Sequence, residues 1–360
     1  MKKMNKVLIL GGSGNFGKRI AEGLSKKNIN VVIAGRNREN LEKIASQLNI
    51  DFILFDINND FDKELKKINP KIVINTCGPF QNSDYRIAQL CIKQSVHYID
   101  LADGRDFVCN IAQLNELAKE KNITIISGAS TVPCLSSCVI ERFKDEFSQI
   151  DSLIYGISPG QKNSPGIATA ESILSYLGKP IKTNGDKIVY GWQDIYRQDY
   201  PDLGKRWMGN CEIPDLDIFP IEYKIKDVKF SAGMENSIVH LSIWLVSWMK
   251  RLGLPIELRN HANLLLKINN YFNHFGTENG GMHMILKGKN KSGKDHERRW
   301  FIIAKNGDGP QIPCAPSIIL TEKILSGDIN QGFAKPCISI ITLEEYMNSL
   351  KEFNINEYIL

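Results

Sequence analysis

"LILGGSGNFGKRIAEGL", residues 8–24, places a short apolar run, a set of spaced glycines and a helical apolar pattern end to end. Gly12, Gly14 and Gly17 match G-x-G-x-x-G, where missing side chains let backbone approach a pyrophosphate at a helix N-terminus. A glycine-rich turn can also be no more than a tight turn, so its surroundings decide the reading. The next hundred residues supply them. VLIL at 7–10, NVVIAG at 30–35, FILF leading into Asp56, KIVINT at 71–76, HYIDLA at 97–102 and ITIISGA at 123–129 read as strands. Ile20 and Leu24, NLEKIASQL, DYRIAQLCIKQ and IAQLNELAKEK carry helical periodicity between them, and connections of that length suit parallel crossovers. The pattern predicts an α/β protein that begins with a Rossmann doubly wound parallel sheet.

The cofactor loop on this reading is Gly11, Gly12, Ser13, Gly14, Asn15, Phe16 and Gly17. An NAD site usually ends its second strand in Asp or Glu, which accepts from the ribose 2′-hydroxyl. Here that strand ends Ala34-Gly35-Arg36-Asn37-Arg38, without a carboxylate. A guanidinium can pair with a 2′-phosphate, so Arg36, with Asn37 beside it, predicts NADP(H). The competing reading of Arg36 is a solvated loop arginine. Asp56, at the end of the third strand, is either an acceptor for the adenine amino group or a turn or helix-cap carboxylate.

A chain of 360 residues with 42% hydrophobic composition holds about two domains. We expect an NADP-binding domain over 1–132 and an α+β substrate-binding and dimerisation domain over 133–360. The formal charge of +5, with both signs interspersed, gives no reason to expect a nucleic-acid partner. Eight cysteines lie scattered without a C-x-x-C pair, which reads as reduced thiols of a cytoplasmic protein. The histidines show no metal-binding spacing, and His97 reads as a packed strand residue. No stretch reaches the roughly 20 apolar residues of a membrane span. IVHLSIWLVSWMKRLGL, 238–254, reads as a buried helix or a subunit interface, with Trp244, Trp248 and Leu252 as its stripe; contact with a membrane surface is the alternative.

Beyond residue 130 the texture changes. STVPCLSS at 130–137 reads as a hinge, DSLIYGIS at 151–158 and KIVYGW as strands, and ATAESILSYL as a helix. The stretch from Gln193 to Pro220 reads as irregular. MHMILKGKN and HERRWFIIAKN alternate about KSGKD and predict a hairpin in a mixed or antiparallel sheet. Helices at 236–252, 257–272 and 317–326 are expected to cover one face of it.

The string INTCGPFQNSDYRIAQLCIKQSVHYIDLADGRDFV, 74–108, resembles the saccharopine dehydrogenase-like family, and the resemblance continues through GASTVPCLSS, GISPG, LGKRW, IPDLDIFP, AGMEN and GDGPQIP. It implies an NADP-dependent oxidoreductase that makes or breaks a C–N bond between amino-acid-like partners, and a homodimer. Two departures fall beside the expected cleft. Cys134 stands where the family usually has Gly, and Ala102-Asp103-Gly104 replaces the usual Thr-Gly-Glu.

Strand ends locate the same cleft without the family, because ligands of open parallel sheets sit beyond the strands' carboxyl ends. Cys77, Gly78, Pro79 and Phe80 form the loop expected under the nicotinamide ring, a role compatible with a structural turn. Asp100, Asp103 and Cys134 are the candidates for proton exchange, with Asp100 equally able to cap the next helix. Arg105, Arg206 and Arg298 are candidates for a substrate carboxylate, or solvated arginines. A short-chain reductase would need Tyr followed four residues on by Lys, and no tyrosine here has one. A protein that binds NADP(H) without turnover, as sensor or scaffold, remains the alternative function.

Overall fold

The computed structural model describes residues 5–163, 171–172, 174–183, 187–254 and 271–360. Its chain divides into two compact units: Met1–Cys138 with Gln311–Ser349, and Val139–Pro310 with Leu350–Leu360.

The first unit is built by the repeated strand–helix alternation. β1 (Lys6–Leu10), α1 (Asn15–Lys26), β2 (Asn30–Gly35), α2 (Arg38–Leu48), β3 (Asp51–Leu54), α3 (Phe61–Ile68), β4 (Ile72–Asn75), α4 (Arg86–Lys93) and β5 (His97–Asp100) follow one another. Two short helices, α5 (Arg105–Cys109) and α6 (Asn115–Glu120), lead to β6 (Thr124–Ser127). The strands pair in parallel in the order β6-β5-β4-β1-β2-β3, the doubly wound arrangement. Buried on both faces, they read as continuous apolar runs: all of Val7–Leu10 and Ile72–Asn75 are buried. Leu8, Val32, Val73, Tyr98 and Ile125 share one core with the helix residues Phe61 and Leu65.

The first division follows Cys138, and the chain later comes back to the first unit. Residues 333–336 add a seventh parallel strand beside β6, and helix Ala315–Ser326 lies on α1 rather than over the second sheet, correcting the expected placement of 317–326. A side chain at Gly23 would meet Ile318 Cδ1 at 2.5 Å, and Lys27 pairs with Glu322 at 2.8 Å, so α1 is shaped for that helix.

After α7 (Ser136–Phe143) the second unit is a mixed sheet built on β7 (Phe147–Ser158). A small pair, β8 (Pro180–Lys182) and β9 (Ile188–Tyr190), stands apart from it. The segment read as irregular contains β10 (Tyr196–Tyr200) and β11 (Gly204–Asn210), an antiparallel pair turning at Pro201-Asp202-Leu203. With β12 (Asp227–Met234), β13 (Gly280–Asn290), β14 (Asp295–Ala304) and β16 (Ile355–Ile359) the order is β10-β11-β12-β7-β13-β14-β16; β15 (Phe333–Pro336) is the strand of the first unit. The β13–β14 hairpin forms about the expected turn, with Lys289 opposite Asp295. The helix expected at 257–272 and the start of ATAESILSYL lie outside the described residues.

Candidate functional site

The glycine loop is held from two sides. Gly11 and Gly12 donate their N–H groups to the Ala34 carbonyl at 2.9 and 3.0 Å, and Thr76 Oγ1 donates to the Leu10 carbonyl at 2.8 Å. Gly11 has φ +75°, where a side chain is strained. A Cβ at Gly12 would lie 2.4 Å from Ile33 Cβ, and one at Gly17 would lie 2.3 Å from the Gly11 carbonyl oxygen. These glycines let the first turn of α1 sit directly on the strand ends. Gly14 is the N-cap; it supplies no side-chain cap and the first turn holds no acidic residue. The N-terminus of α1 therefore keeps its positive end for an anion.

The end of β2 runs alongside. An ideal Cβ at Gly35 lies 3.6 Å from Ser13 Oγ, so Arg36 follows next to the loop, exposed. Arg38 pairs with Glu42 at 3.0 Å. Asn37 is the N-cap of α2, its side chain accepting from Asn40 N at 2.9 Å. Asp56 accepts from Asn58 N at 2.9 Å, the turn role weighed for it. Cys77 is half-buried; burial pushes its thiol up to about 11, with the Arg36 charge opposing and the Asp56 charge adding. The residues fit a dinucleotide phosphorylated at the ribose: a cradle without side chains, a helix end without a carboxylate, and an unpaired guanidinium beside it.

The loop after β4 meets the segment after β5. Phe80 is buried against Phe107, with ring centres 5.3 Å apart, and Gly104 lets the two backbones touch: its Cβ would lie 3.0 Å from the Phe80 carbonyl. Gln81 Nε2 donates to Asp103 Oδ1 at 3.2 Å. Arg105 begins α5 two residues on, half-buried. The structure thus brings Gly78, Pro79, Phe80, Asp103 and Arg105 together. Gln81 and Thr76 belong to the same constellation and were not singled out from the sequence; their partners are 22 and 66 residues away.

Two of the three proton-exchange candidates are removed from solvent. Asp100 has no exposed surface. Its Oδ1 accepts from Ala102 N at 3.0 Å, Ser127 Oγ at 2.9 Å and Gly128 N at 2.9 Å. Burial pushes its pKa up to about 6, against the lowering effect of those donors. The side chain joins the ends of β5 and β6, and Ala129 N completes the seam by donating to the Asp100 carbonyl at 2.7 Å. Asp100 is a positioning residue. Cys134 is likewise buried, in the wide turn before α7; burial and the neighbouring Cys138 and Cys337 thiols push it well above the usual thiol range. Asp103 alone of the three is partly exposed. His97 is a packed residue, its Nδ1 accepting from Thr124 N at 3.0 Å.

Arg206 and Arg298 belong to the second unit. Arg298 donates through Nε and Nη2 to Glu146 Oε2 at 3.0 and 2.7 Å, so its guanidinium is engaged by a carboxylate of its own unit. Arg206 is buried, 3.4 Å from both Glu235 Oε1 and the Asn279 carbonyl, and its Nη1 has no hydrogen-bond partner. Among the described residues no group of three or more His, Cys, Asp or Glu side chains could hold a metal ion, and no helix is long and apolar enough to cross a membrane.

Residues 7–126 match the family model described as the saccharopine dehydrogenase NADP binding domain. An uncharacterized oxidoreductase of Staphylococcus aureus (strain MW2) is 25% identical over 225 residues, 51% of this chain and 96% of the relative. One from Staphylococcus epidermidis is 24% identical over 182 residues, 44% of this chain and 78% of the relative. The saccharopine dehydrogenase (L-Glu forming) of Saccharomyces cerevisiae, solved in its apo form, covers 99% of this chain and 100% of its own at a TM-score of 0.69 and 13% identity, a likeness of fold. With the nucleotide cradle at its head, residues 7–126 are a saccharopine dehydrogenase-type NADP-binding domain, and the chain is similar to proteins named oxidoreductases.

Proposed function

We propose that the chain transfers hydride between NADP(H) and a C–N centre of an amino-acid-like small molecule. The observation that carries this reading is the constellation beyond β4 and β5, where one partly exposed carboxylate, Asp103, lies on the loop Gly78-Pro79-Phe80-Gln81 through its bond to Gln81. NADP, when bound, supplies the hydride acceptor or donor. In the oxidative direction the substrate's C–H bond breaks with its electron pair leaving as hydride, its nitrogen gives up a proton, and a C=N bond forms; water then cleaves the imine to a carbonyl compound and an amine. Asp103 takes the proton in that direction and returns it in the other. Arg105 is the cation assigned to a substrate carboxylate beside Asp103, and Asp100 keeps the strand ends in place. The second unit serves substrate binding and assembly as a homodimer. Eight free thiols suit a reducing cytoplasm.

The test is a screen of amino acids and of amine and oxo-acid pairs, read as absorbance of the reduced nicotinamide. A substrate pair that changes it, with NADP(H) preferred over NAD(H), supports the reading. Tight NADP(H) binding with no change across the screen favours a sensor or scaffold.

A further inference from the structure

Between the small pair β8–β9 and the second sheet lies a cavity of about 320 Å³ whose lining residues all belong to the second unit. Its floor is apolar and buried: Leu216 comes from helix Asp215–Glu222, Val228 and Phe230 from β12. Charged residues complete the lining. Lys187 and Asp194 flank β9, while Asp227 and Lys229, two residues apart, share one face of β12.

The roof of this space is fastened to the sheet. The Asn210 carbonyl accepts from Trp192 N at 2.8 Å, its N–H donates to the Gln193 carbonyl at 3.1 Å, and its side chain donates to Asp194 Oδ2 at 2.9 Å. Trp192 and Asp194 have φ of +63° and +52°, a costly conformation for these residues that the surrounding packing imposes. Arg251, at the end of helix Ser237–Arg251, stacks on Tyr190 of β9 at 3.7 Å and donates to Gln193 Oε1 at 2.7 Å. That helix turns Trp248 and its C-cap Leu252 to solvent, which corrects the expectation of a buried stripe through them.

Among the described residues, Lys187, Asp194, Asp227 and Lys229 form no ion pair with any side chain. Lys229 is half-buried, its ammonium 4.9 Å above the Tyr196 ring and 3.4 Å from the Asp194 carbonyl oxygen. Burial pulls its pKa down, with the Lys187 charge adding and the Asp194 and Asp227 charges opposing. A half-buried ammonium without a counter-ion is a cost that an incoming anion relieves. The balance of signs then names the ligand. Two lysines alone would suit a phosphate, but two carboxylates on the same cavity repel a multiply charged anion. Both signs over an apolar floor fit a zwitterion with an apolar body, and the volume suits one molecule of the size of leucine or phenylalanine.

We propose that this cavity binds an apolar α-amino acid as its zwitterion, with the carboxylate at Lys229, the ammonium at Asp227 and the side chain on Leu216, Val228 and Phe230. The site shares no residue with the nucleotide cradle or the Asp103 segment and is independent of the hydride chemistry. Lys187, Asp194 and Asp227 are exposed to water, so binding is modest, with a dissociation constant on the order of 0.1 mM.

Isothermal titration calorimetry of the full chain with L-leucine and L-phenylalanine tests it, beside analogues that lack the ammonium (isocaproate, hydrocinnamate) or the carboxylate (isoamylamine, phenethylamine). At least one amino acid should bind, and its two analogues should each be weaker by about tenfold or more. Lys229→Met keeps the apolar stem and should weaken the amino acid about tenfold or more, with NADP(H) affinity and the thermal unfolding midpoint unchanged. Asp227 is exposed, so Asp227→Asn keeps the fold; it should weaken the amino acid and spare isocaproate. No binding of either amino acid at roughly 10 mM, about 100 times the expected constant, overturns the site. Binding that survives either substitution lies elsewhere on the chain and overturns it too. Isocaproate or inorganic phosphate bound as tightly as the amino acid, and lost in Lys229→Met, makes the cavity an anion site and overturns the ligand class. These readouts need neither turnover nor NADP(H), so they fail or succeed separately from the hydride reading.

Discussion

Ser127 Oγ donates to Asp100 Oδ1 across 2.9 Å in a part of the first unit where neither residue reaches solvent. The bond closes the end of β5 onto the end of β6. Because the folded pKa of Asp100, about 6, lies above its ordinary 3.8, the folded chain binds this proton more tightly than the unfolded chain. The stability from this group is complete below about pH 4 and is lost as the pH rises through 6, a difference on the order of 3 kcal/mol.

Asp100→Asn keeps an oxygen for the three donors and removes the ionisation. Urea unfolding of the variant and the unsubstituted chain should show the variant gaining relative stability between pH 4 and pH 7, with turnover within about threefold. A difference flat across that window defeats the assignment. Asp100→Leu leaves three buried donors without an acceptor and should cost about 3 kcal/mol or more at any pH.

Arg36 is exposed beside the glycine loop, and its proposed role in cofactor preference is open to direct test. Arg36→Ala should weaken NADP(H) by roughly 10- to 100-fold, the worth of charge-assisted hydrogen bonds to a phosphate, and leave NAD(H) unchanged. Fluorescence titration with both reduced cofactors reads this directly. Equal affinities for the two in the unsubstituted protein would remove Arg36 from the site.

Gly12→Ala tests the cradle itself. The new methyl would fall on Ile33, inside a central strand that cannot retreat, so about 1–3 kcal/mol of stability and most of the cofactor affinity should be lost together. A variant that binds NADP(H) normally would mean that the loop has room the geometry denies it.

The first unit was legible because its signals are local. G-x-G-x-x-G, the apolar runs and the bare end of β2 each lie within a few residues of what they specify. β15 was not legible: Phe333–Pro336 is four residues long, includes Pro336, and becomes a strand only because β6 offers an open edge. The β10–β11 hairpin was hidden because polar Gln198 and charged Arg206 occupy buried positions of its strands. The site divides the same way. Arg36 and the glycines could be placed by position along the chain, whereas the fates of Asp100 and Cys134 depended in part on partners far along it, Ser127 and Cys337. Helix Ser237–Arg251 shows the limit of pattern: its apolar stripe was visible, and the direction it faces was not.

Arg298 illustrates how a chemically apt residue can be already committed. Glu146 takes its Nε and Nη2, His296 approaches the same oxygen at 3.0 Å, and the Phe143 ring lies beneath the guanidinium. The pair is partly exposed, so Arg298→Ala should cost no more than about 1 kcal/mol. The Michaelis constant for any carboxylate substrate should stay the same. A rise of tenfold or more would return Arg298 to the substrate site.

Asp103 is left as the carboxylate that can exchange a proton with substrate, and its partner makes the claim testable in two ways. Asp103→Asn preserves size and the ability to accept from Gln81 but cannot take up a proton. Turnover should fall by about 10² to 10⁴ with NADP(H) affinity intact. Gln81→Leu removes the donor that orients the carboxylate while leaving the carboxylate itself. It should lower turnover by a smaller factor and shift the pH at which activity is half-maximal, a change that a purely structural glutamine would not produce. If Asp103→Asn retains full turnover on a substrate pair that the unsubstituted enzyme converts, proton exchange does not pass through this segment, and water held by the loop at Gly78–Gln81 becomes the group to test.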